Sequence, residues 1–267
     1  MPDGPEGSRH LVIDIGNTNI KIAFFQGEEM FRLWVGSAVD DAHLREWIDP
    51  LQTEAAIISS VRISDNVSKQ SGTLSESNAF ETVAPEFNWL STFNFPVFLA
   101  GPHLKLPITM RYKTPETLGS DRLAAAVAAA HMFSGQNTLV LTAGSCITAD
   151  FVTEHGEYLG GTITPGLHMR LQAMHHFTGK LPLVNKIAEE TPLIGDSTVA
   201  SMMSGVINGI TAEMDGLIAA WEKEIGFFNV ILSGGDGKIF AKKVKSRIFA
   251  IDNIVLHGLN LMLKHNV

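Results

Sequence analysis

Apolar and polar positions change period several times along the chain, and each change marks an element. Leu11, Val12 and Ile13 form a short apolar run that ends in the turn Asp14, Ile15, Gly16, Asn17, Thr18. Ile20, Ile22 and Phe24 then alternate with Asn19, Lys21 and Ala23. An apolar run, a Gly/Asn turn and period-two alternation together predict a β-hairpin. Residues 31–35 read as a third strand. Helical spacing at Leu44, Trp47 and Ile48, with Asp40 and Asp41 before it and Pro50 after it, predicts a helix over 42–48. Residues 55–61 read as a buried strand, the polar stretch 68–78 as a helix with frayed ends, and 95–99 and 108–112 as strands. Ser120 as N-cap and Asp121 in the first turn open an alanine-rich helix over 123–133, suited to close packing at an internal or subunit interface.

The second half begins again with strands, at 138–143, 147–153 and 158–164, the last after the turn His155, Gly156. A helix follows Pro165 and Gly166 as far as about His176. Met202, Val206, Ile210 and Met214 recur every fourth residue within a long helix over 197–224. A strand at 229–233, the turn Gly234, Gly235, Asp236 and a helix over 254–263 close the chain. Strands alternating with helices point to an α/β layer architecture. Placing 11–20 over 139–148 aligns three apolar residues, a polar one, an apolar one, glycine and a small polar residue. Two glycine hairpins 128 positions apart imply two similar halves, with small ligands held between them.

Composition narrows this further. With 267 residues, 45% hydrophobic and 18% charged, the chain has material for about two domains and a full core. Lys+Arg 20 against Asp+Glu 28 leaves a net charge of −8 and no basic run, which argues against nucleic-acid or anionic-membrane binding. A single cysteine, Cys146, excludes an intramolecular disulfide and a cysteine-rich zinc site; it reads as a small buried hydrophobe. No apolar run reaches the ~20 residues of a membrane span. Residues 1–10 lack the order of a signal peptide and read as a disordered leader, so the expected setting is the cytoplasm.

Glycine in a tight hairpin lets backbone N–H groups converge on an anion. Asn17 and Thr18 add donors, Lys21 adds a cation, and Asp14 offers the hard oxygen that Mg²⁺ takes directly or through water. The segment from Asp14 to Lys21 therefore reads as a phosphate grip with a metal anchor, or else as an ordinary hairpin whose Asp and Asn satisfy the turn. Gly144 and Ser145 form the matching turn of the second half. Gly234 and Gly235 suit either passage past a nucleoside or a tight strand-to-helix turn. Asp121 and Arg122 fit a base for an attacking hydroxyl and a bidentate carboxylate clamp, or else a helix-dipole partner and a surface ion pair. Thr162 or Thr164 touches a ligand, unless backbone packing alone explains the glycines beside them. Thr198 caps its helix or donates to a substrate. The histidines, His175 and His176 included, lack metal spacing and read as structural or surface residues.

Taken in order, these motifs resemble the type III pantothenate kinase family. The resemblance runs from Leu11 to Leu263. It rests on Asp14-x-Gly-Asn-Thr18, Tyr112-x-x-Pro115, Gly119-x-Asp-Arg122, Gly160-Gly-x-Ile-x-Pro-Gly166, Thr198 with Ser204 and Gly205, Gly234-Gly-Asp236, and Gly258 with Leu259. It implies the acetate and sugar kinase, Hsp70 and actin superfamily. The fold would be α/β, two duplicated ribonuclease-H-like lobes with mixed sheets flanked by helices, divided as 11–118 and 119–267. The implied reaction is phosphorylation of the pantothenate 4′-hydroxyl by ATP, the first step of coenzyme A synthesis. By matching position, Asp14, Ile15, Gly16, Asn17, Thr18, Asn19, Ile20 and Lys21 would hold ATP with Mg²⁺, and Ser145 would add a phosphate contact. Tyr112, Gly119, Ser120, Asp121, Arg122 and Thr198 would form the pantothenate pocket, with Asp121 as general base. The resemblance also implies a homodimer and a monovalent cation, K⁺ or NH4⁺. The family's Asp-x-Gly-Thr at the second hairpin is here Thr142-Ala-Gly-Ser145, which removes a charge from the cation position. Two other readings stay open: a regulatory or accessory protein with impaired catalysis, and another small-molecule kinase or a phosphohydrolase on the same scaffold.

Overall fold

A computed structural model describes residues 7–38, 48, 52–60, 85–187 and 190–267. In the first sheet β1 (Arg9–Ile15) and β2 (Ile20–Gln26) form the expected antiparallel hairpin, and β3 (Glu29–Gly36) runs antiparallel to β2. β4 (Ala55–Ser60) lies parallel to β1, and β5 (Val97–Leu99) parallel to β4, so the order is β3-β2-β1-β4-β5. The central strands β1 and β4 are buried almost throughout, as strands covered on both faces must be, whereas edge strand β3 stays largely exposed. β5 starts two residues later than the sequence suggests. Pro96 has no N–H to give, and its carbonyl accepts from Ala56 N at 2.9 Å.

β6 (Thr109–Met110) is a two-residue remnant of the strand expected over 108–112, paired in parallel with Glu157 and Tyr158. Past it the chain makes a short 3-10 turn, Pro115–Thr117, and enters α1 (Ser120–Met132). The second sheet is built from β7 (Thr138–Ala143), β8 (Cys146–Val152), β9 (Glu157–Pro165), β10 (Asn229–Ser233) and β11 (Phe249–Ala250). With β6 as a sixth strand at the edge, these lie in the order β11-β10-β7-β8-β9-β6, with β10 parallel to β7 and β11 parallel to β10. Position for position the first five correspond to the first sheet. The duplication legible in ten residues thus extends to five strands, and the expected α/β class with two mixed sheets flanked by helices is the fold observed.

Around the second sheet pack α2 (Leu167–Phe177), α3 (Thr198–Ile225) and the short α4 (Gly237–Ala241); the chain ends in α5 (Ile254–Lys264). Met202, Val206, Ile210 and Met214 are all buried, as their spacing requires. α3 is capped by Ser197, whose hydroxyl accepts from Ala200 N at 3.3 Å, so the capping role open to Thr198 falls to its neighbour. Two apolar cores result, one of Leu11, Ile13, Ile22, Phe24, Ile58 and Phe87, the other of Leu139, Leu141, Phe151, Ile207, Ile210 and Phe240.

The compact units do not follow a single cut near residue 118. One comprises Met1–Met132, Gly156–Tyr158 and Ile254–Val267, the other Phe133–His155 and Leu159–Asn253. Both α1 and α5 therefore belong with the first sheet. The reason is close packing: a Cβ on Gly258 of α5 would stand 1.8 Å from the Ala124 carbonyl oxygen of α1. The alanines of α1 serve this internal contact, with Ala124, Ala126, Ala128 and Ala129 wholly buried. Two residues expected in the leader are strand residues instead. Arg9 and His10 belong to β1, and His10 is buried with Nδ1 2.8 Å from Asn260 Oδ1. The helix expected over 42–48 lies outside the described residues except for Ile48, which is buried, and 68–78 lies wholly outside them.

Substituting Gly258 by Ala forces α1 and α5 apart. Overpacking of this kind costs about 1–3 kcal/mol, so chemical denaturation should give a midpoint clearly below that of the parent chain. An unchanged midpoint would refute the helix contact.

Candidate functional site

Parallel and antiparallel pairing sets one polar row across the end of the first sheet. Asp14 on β1 is opposite Lys21 on β2 and opposite Ser59 on β4. Directly paired residues share a face of a sheet, so the three side chains emerge side by side. The hairpin closes over 16–19, where Gly16 N donates to Asn19 O at 3.0 Å. Asn17, Thr18 and Asn19 are exposed at this turn. Ile15 and Ile20 point into the core, 1% and 2% exposed, so only their backbone reaches the turn.

The start of α1 meets the same row. The Ser59 hydroxyl donates to Asp14 Oδ1 at 3.0 Å and lies 3.0 Å from the hydroxyl of Ser120. Ser120 is therefore the first residue of the helix rather than its cap, and its side chain is committed to β4. Gly119 supplies the carbonyl that takes Leu123 N, at 3.1 Å. Asp121 folds back over this turn: its Oδ1 accepts from Arg122 N at 2.9 Å and occupies space that a Cβ on Gly119 would approach to 2.5 Å. Arg122 is 6% exposed, which removes the surface ion-pair reading. Its guanidinium stands 5.8 Å from the centre of the Tyr112 ring, and that ring packs on Tyr158 with centroids 5.9 Å apart. Residues that the sequence scatters over 14–122 thus form one cluster in the first compact unit.

Electrostatics sharpen the picture. Burial pushes the Asp14 carboxyl up from 3.8 to about 6, against the Ser59 hydrogen bond and Lys21, which favour the anion; the charge of Asp121 adds to the rise. Asp14 and Asp121 are therefore near enough to feel each other. Such an arrangement favours a bound cation, and a carboxylate oxygen suits a hard divalent ion. Two hollows of about 440 Å³ also open on this unit, one beside His10, Glu54 and Phe98, the other beside Glu28, His131 and His257. Neither is lined by a residue of the cluster.

In the second unit the row equivalent to Lys21, Asp14 and Ser59 is Thr148, Thr142 and Ser233, by register. All three are neutral hydroxyls, and Thr142 Oγ1 is buried with no hydrogen-bond partner among the described residues. Backbone crowds around the adjoining turn at Gly144 and Ser145. A Cβ on Gly166 would stand 2.0 Å from Gly144 O, and one on Gly234, whose φ is +96°, would stand 2.1 Å from Ala143 O. Glycine at 234 is thus required twice, by the dihedral and by the contact. Asp236 follows that turn, with His168 Nε2 4.0 Å from Oδ1; burial holds its carboxyl above the usual range. Thr198 is exposed at the start of α3. Thr164 is drawn into packing, since its hydroxyl donates to Glu213 at 2.7 Å and Arg170 holds the other oxygen of that carboxylate at 2.6 Å.

Sequence reasoning did not single out Ser59. The signal was the pair Ser59, Ser60 ending an otherwise apolar strand, which gains meaning only beside Asp14.

Ionised Asp14 costs the fold stability. A carboxyl raised on folding penalises the native state above its folded value near 6, and the penalty vanishes below the unfolded value near 3.8. A rise of about two units is worth about 3 kcal/mol. Asp14→Asn should therefore melt several degrees higher than the parent chain at pH 7–8, with the gain gone by pH 3.8. A lower melting temperature at pH 7–8 would contradict the buried charge.

Comparison with known proteins sets this geometry in context. The family model for type III pantothenate kinase matches residues 10–220. A type III pantothenate kinase of Cytophaga hutchinsonii is 40% identical over 261 residues, covering 97% of this chain and all of the relative. One of Bacteroides fragilis is 40% identical over 257 residues, covering 96% and 98%. Among solved structures, a conserved putative Baf family transcriptional activator from Campylobacter jejuni matches with a TM-score of 0.54 at 18% identity, covering 96% of this chain and 98% of that one. At that identity the likeness speaks for the fold alone. By the family match and the curated relatives, this chain belongs to the type III pantothenate kinase family.

Proposed function

We propose that this chain transfers the γ-phosphoryl group of ATP to the 4′-hydroxyl of pantothenate, the opening step of coenzyme A biosynthesis. The observation that carries the reading is the convergence of Asp14 and Asp121, 107 residues apart in sequence, on one unit with Lys21, Arg122 and Tyr112 beside them.

Phosphoryl transfer has a loose transition state, so catalysis is mostly alignment and charge neutralisation. The hairpin turn at 16–19 presents backbone and side-chain donors to phosphate oxygens, and Lys21 adds positive charge on the Asp14 row. Asp14 is the residue that would hold Mg²⁺, which when bound offsets phosphate charge. Asp121, freed for a returning carboxylate by Gly119, orients the pantothenate hydroxyl and takes its proton as the new bond forms. Arg122, buried against Tyr112, takes the pantothenate carboxylate. For Ser145 and Thr198, both in the second unit, the phosphate and substrate contacts are what the family resemblance implies. The hydroxyl row of Thr142, Thr148 and Ser233 lacks the charge that the family resemblance implies at the K⁺ or NH4⁺ position, so a monovalent ion would be held there more weakly, by neutral oxygens, and no step passes through one.

Association into a homodimer is part of the same reading. Phe177, Leu193, Ile194 and Phe227 are each at least 74% exposed, large apolar side chains that association would cover. The proposed setting is the cytoplasm, where ATP is available. Among the described residues no helix is long and apolar enough to cross a membrane.

Purified chain with ATP and pantothenate should release ADP only when pantothenate is present, and to a similar extent with and without K⁺. ADP released without pantothenate would point to a hydrolase, and none under any condition to an accessory protein. Asp121→Asn should lose about two to four decades of turnover while ATP still binds; near-parental turnover would remove Asp121 as the base. Arg122→Ala should chiefly raise the Michaelis constant for pantothenate, and an unchanged constant would move the carboxylate site elsewhere.

A further inference from the structure

The function above assigns Ser59 no part, yet it is wholly buried with its hydroxyl between Asp14, which the function uses, and Ser120, the neighbour of Asp121. A hydroxyl has one proton to give. With Asp14 ionised, that proton goes to Asp14 Oδ1, so the 3.0 Å contact with Ser120 leaves Ser120 as donor and Ser59 as acceptor. The result is a directed chain from the Ser120 hydroxyl through Ser59 to the Asp14 carboxylate. Ser120 is covalently next to Asp121. The chain therefore ties the end of β1, the end of β4 and the first residue of α1 at a single point.

We infer that Ser59 is a positioning residue that fixes the carboxylate of Asp14 relative to that of Asp121 through the hydroxyl of Ser120. The inference rests on the kinase reading, because it assigns Asp14 to the phosphate side and Asp121 to the hydroxyl being phosphorylated. In-line transfer depends on how these two groups are aligned, and small misplacements are costly. Several features favour a specific role over general packing. Ser59 sits at a register position shared with the Asp14 row. Its acceptor is a carboxylate, so the hydrogen bond is made to a charged group. Its second partner belongs to a different element, so removing the hydroxyl releases both elements at once. The equivalent residue of the second sheet, Ser233, faces Thr142 instead of a carboxylate, so the same residue type there has no anion in its register row to hold.

Steady-state kinetics on Ser59→Ala, Ser59→Thr and Ser120→Ala test this. A hydrogen bond to a charged group is worth enough to cost about 10- to 100-fold in rate when lost. Ser59→Ala should lose that much kcat, with the Michaelis constants for ATP and pantothenate within about threefold of the parent. Ser59→Thr should recover most of the loss because it keeps the hydroxyl, and Ser120→Ala should show a smaller fall. A kcat for Ser59→Ala within twofold of the parent, or no recovery in Ser59→Thr, overturns the inference. If Ser59→Ala does not fold, parental kcat in Ser120→Ala overturns it. A melting cycle decides independently of activity: Ser59→Ala should lower the melting temperature less in an Asp14→Ala background than in the parent. Equal losses in the two backgrounds overturn the inference. If the parent makes no phosphopantothenate, the kinase reading falls, and this cycle still shows whether Ser59 holds Asp14.

Discussion

A carboxylate held where its own charge is disfavoured is the constraint on which the rest of the first unit depends. Asp14 ends a central strand, and central strands of a sheet covered on both faces exclude water. The polar groups at that end therefore have to be supplied by neighbours. Lys21 and Ser59 arrive by strand register, and Ser120 and Asp121 arrive with the helix that packs over β4. Each strand end contributes one group and the helix start two. A buried acid beside a second acid lowers the stability of the chain alone and favours a bound cation, so in the proposed reaction the cost to the fold and the use of the site have one origin.

Close packing fixes where that cluster stands. The alanines of α1 let α5 approach until Gly258 meets the Ala124 carbonyl, and α1 in turn carries Ser120, Asp121 and Arg122 at its first turn. A bulkier helix would stand farther from its neighbour and shift the first turn with it. The apolar middle of α1 and its polar start thus act together, one setting the distance and the other carrying the candidate site residues.

Duplication gives the chain two sheets of one design with different polar rows. At equivalent register positions the first unit has Lys21, Asp14 and Ser59, and the second has Thr148, Thr142 and Ser233. One row carries charge of both signs; the other is neutral. The second unit spends its distinctive residues on backbone approach instead, with Gly166 and Gly234 closing on the turn from Ala143 to Ser145. Five strands keep their order and pairing sense in both sheets while the side chains of the row differ.

Strand positions, the long helix from its four-residue spacing and the two glycine hairpins were legible in the sequence, because period and turn chemistry are local properties. Asp14, Asp121 and Arg122 stood out as candidates, since their types and neighbours suit charge and proton transfer, and the proposal that they carry the chemistry rests on that and on their convergence in the fold. Tertiary structure decided the rest. It assigned α1 and α5 to the first sheet, because a contact between Gly258 and Ala124 has no trace in either segment alone. It gave the cap of α3 to Ser197, committed Thr164 to Glu213 and buried Arg122 against Tyr112, all of which turn on which side chain reaches which partner. It also gave Ser59 its place beside Asp14, because a serine ending a strand acquires a role only when parallel pairing sets it against a carboxylate 45 residues away.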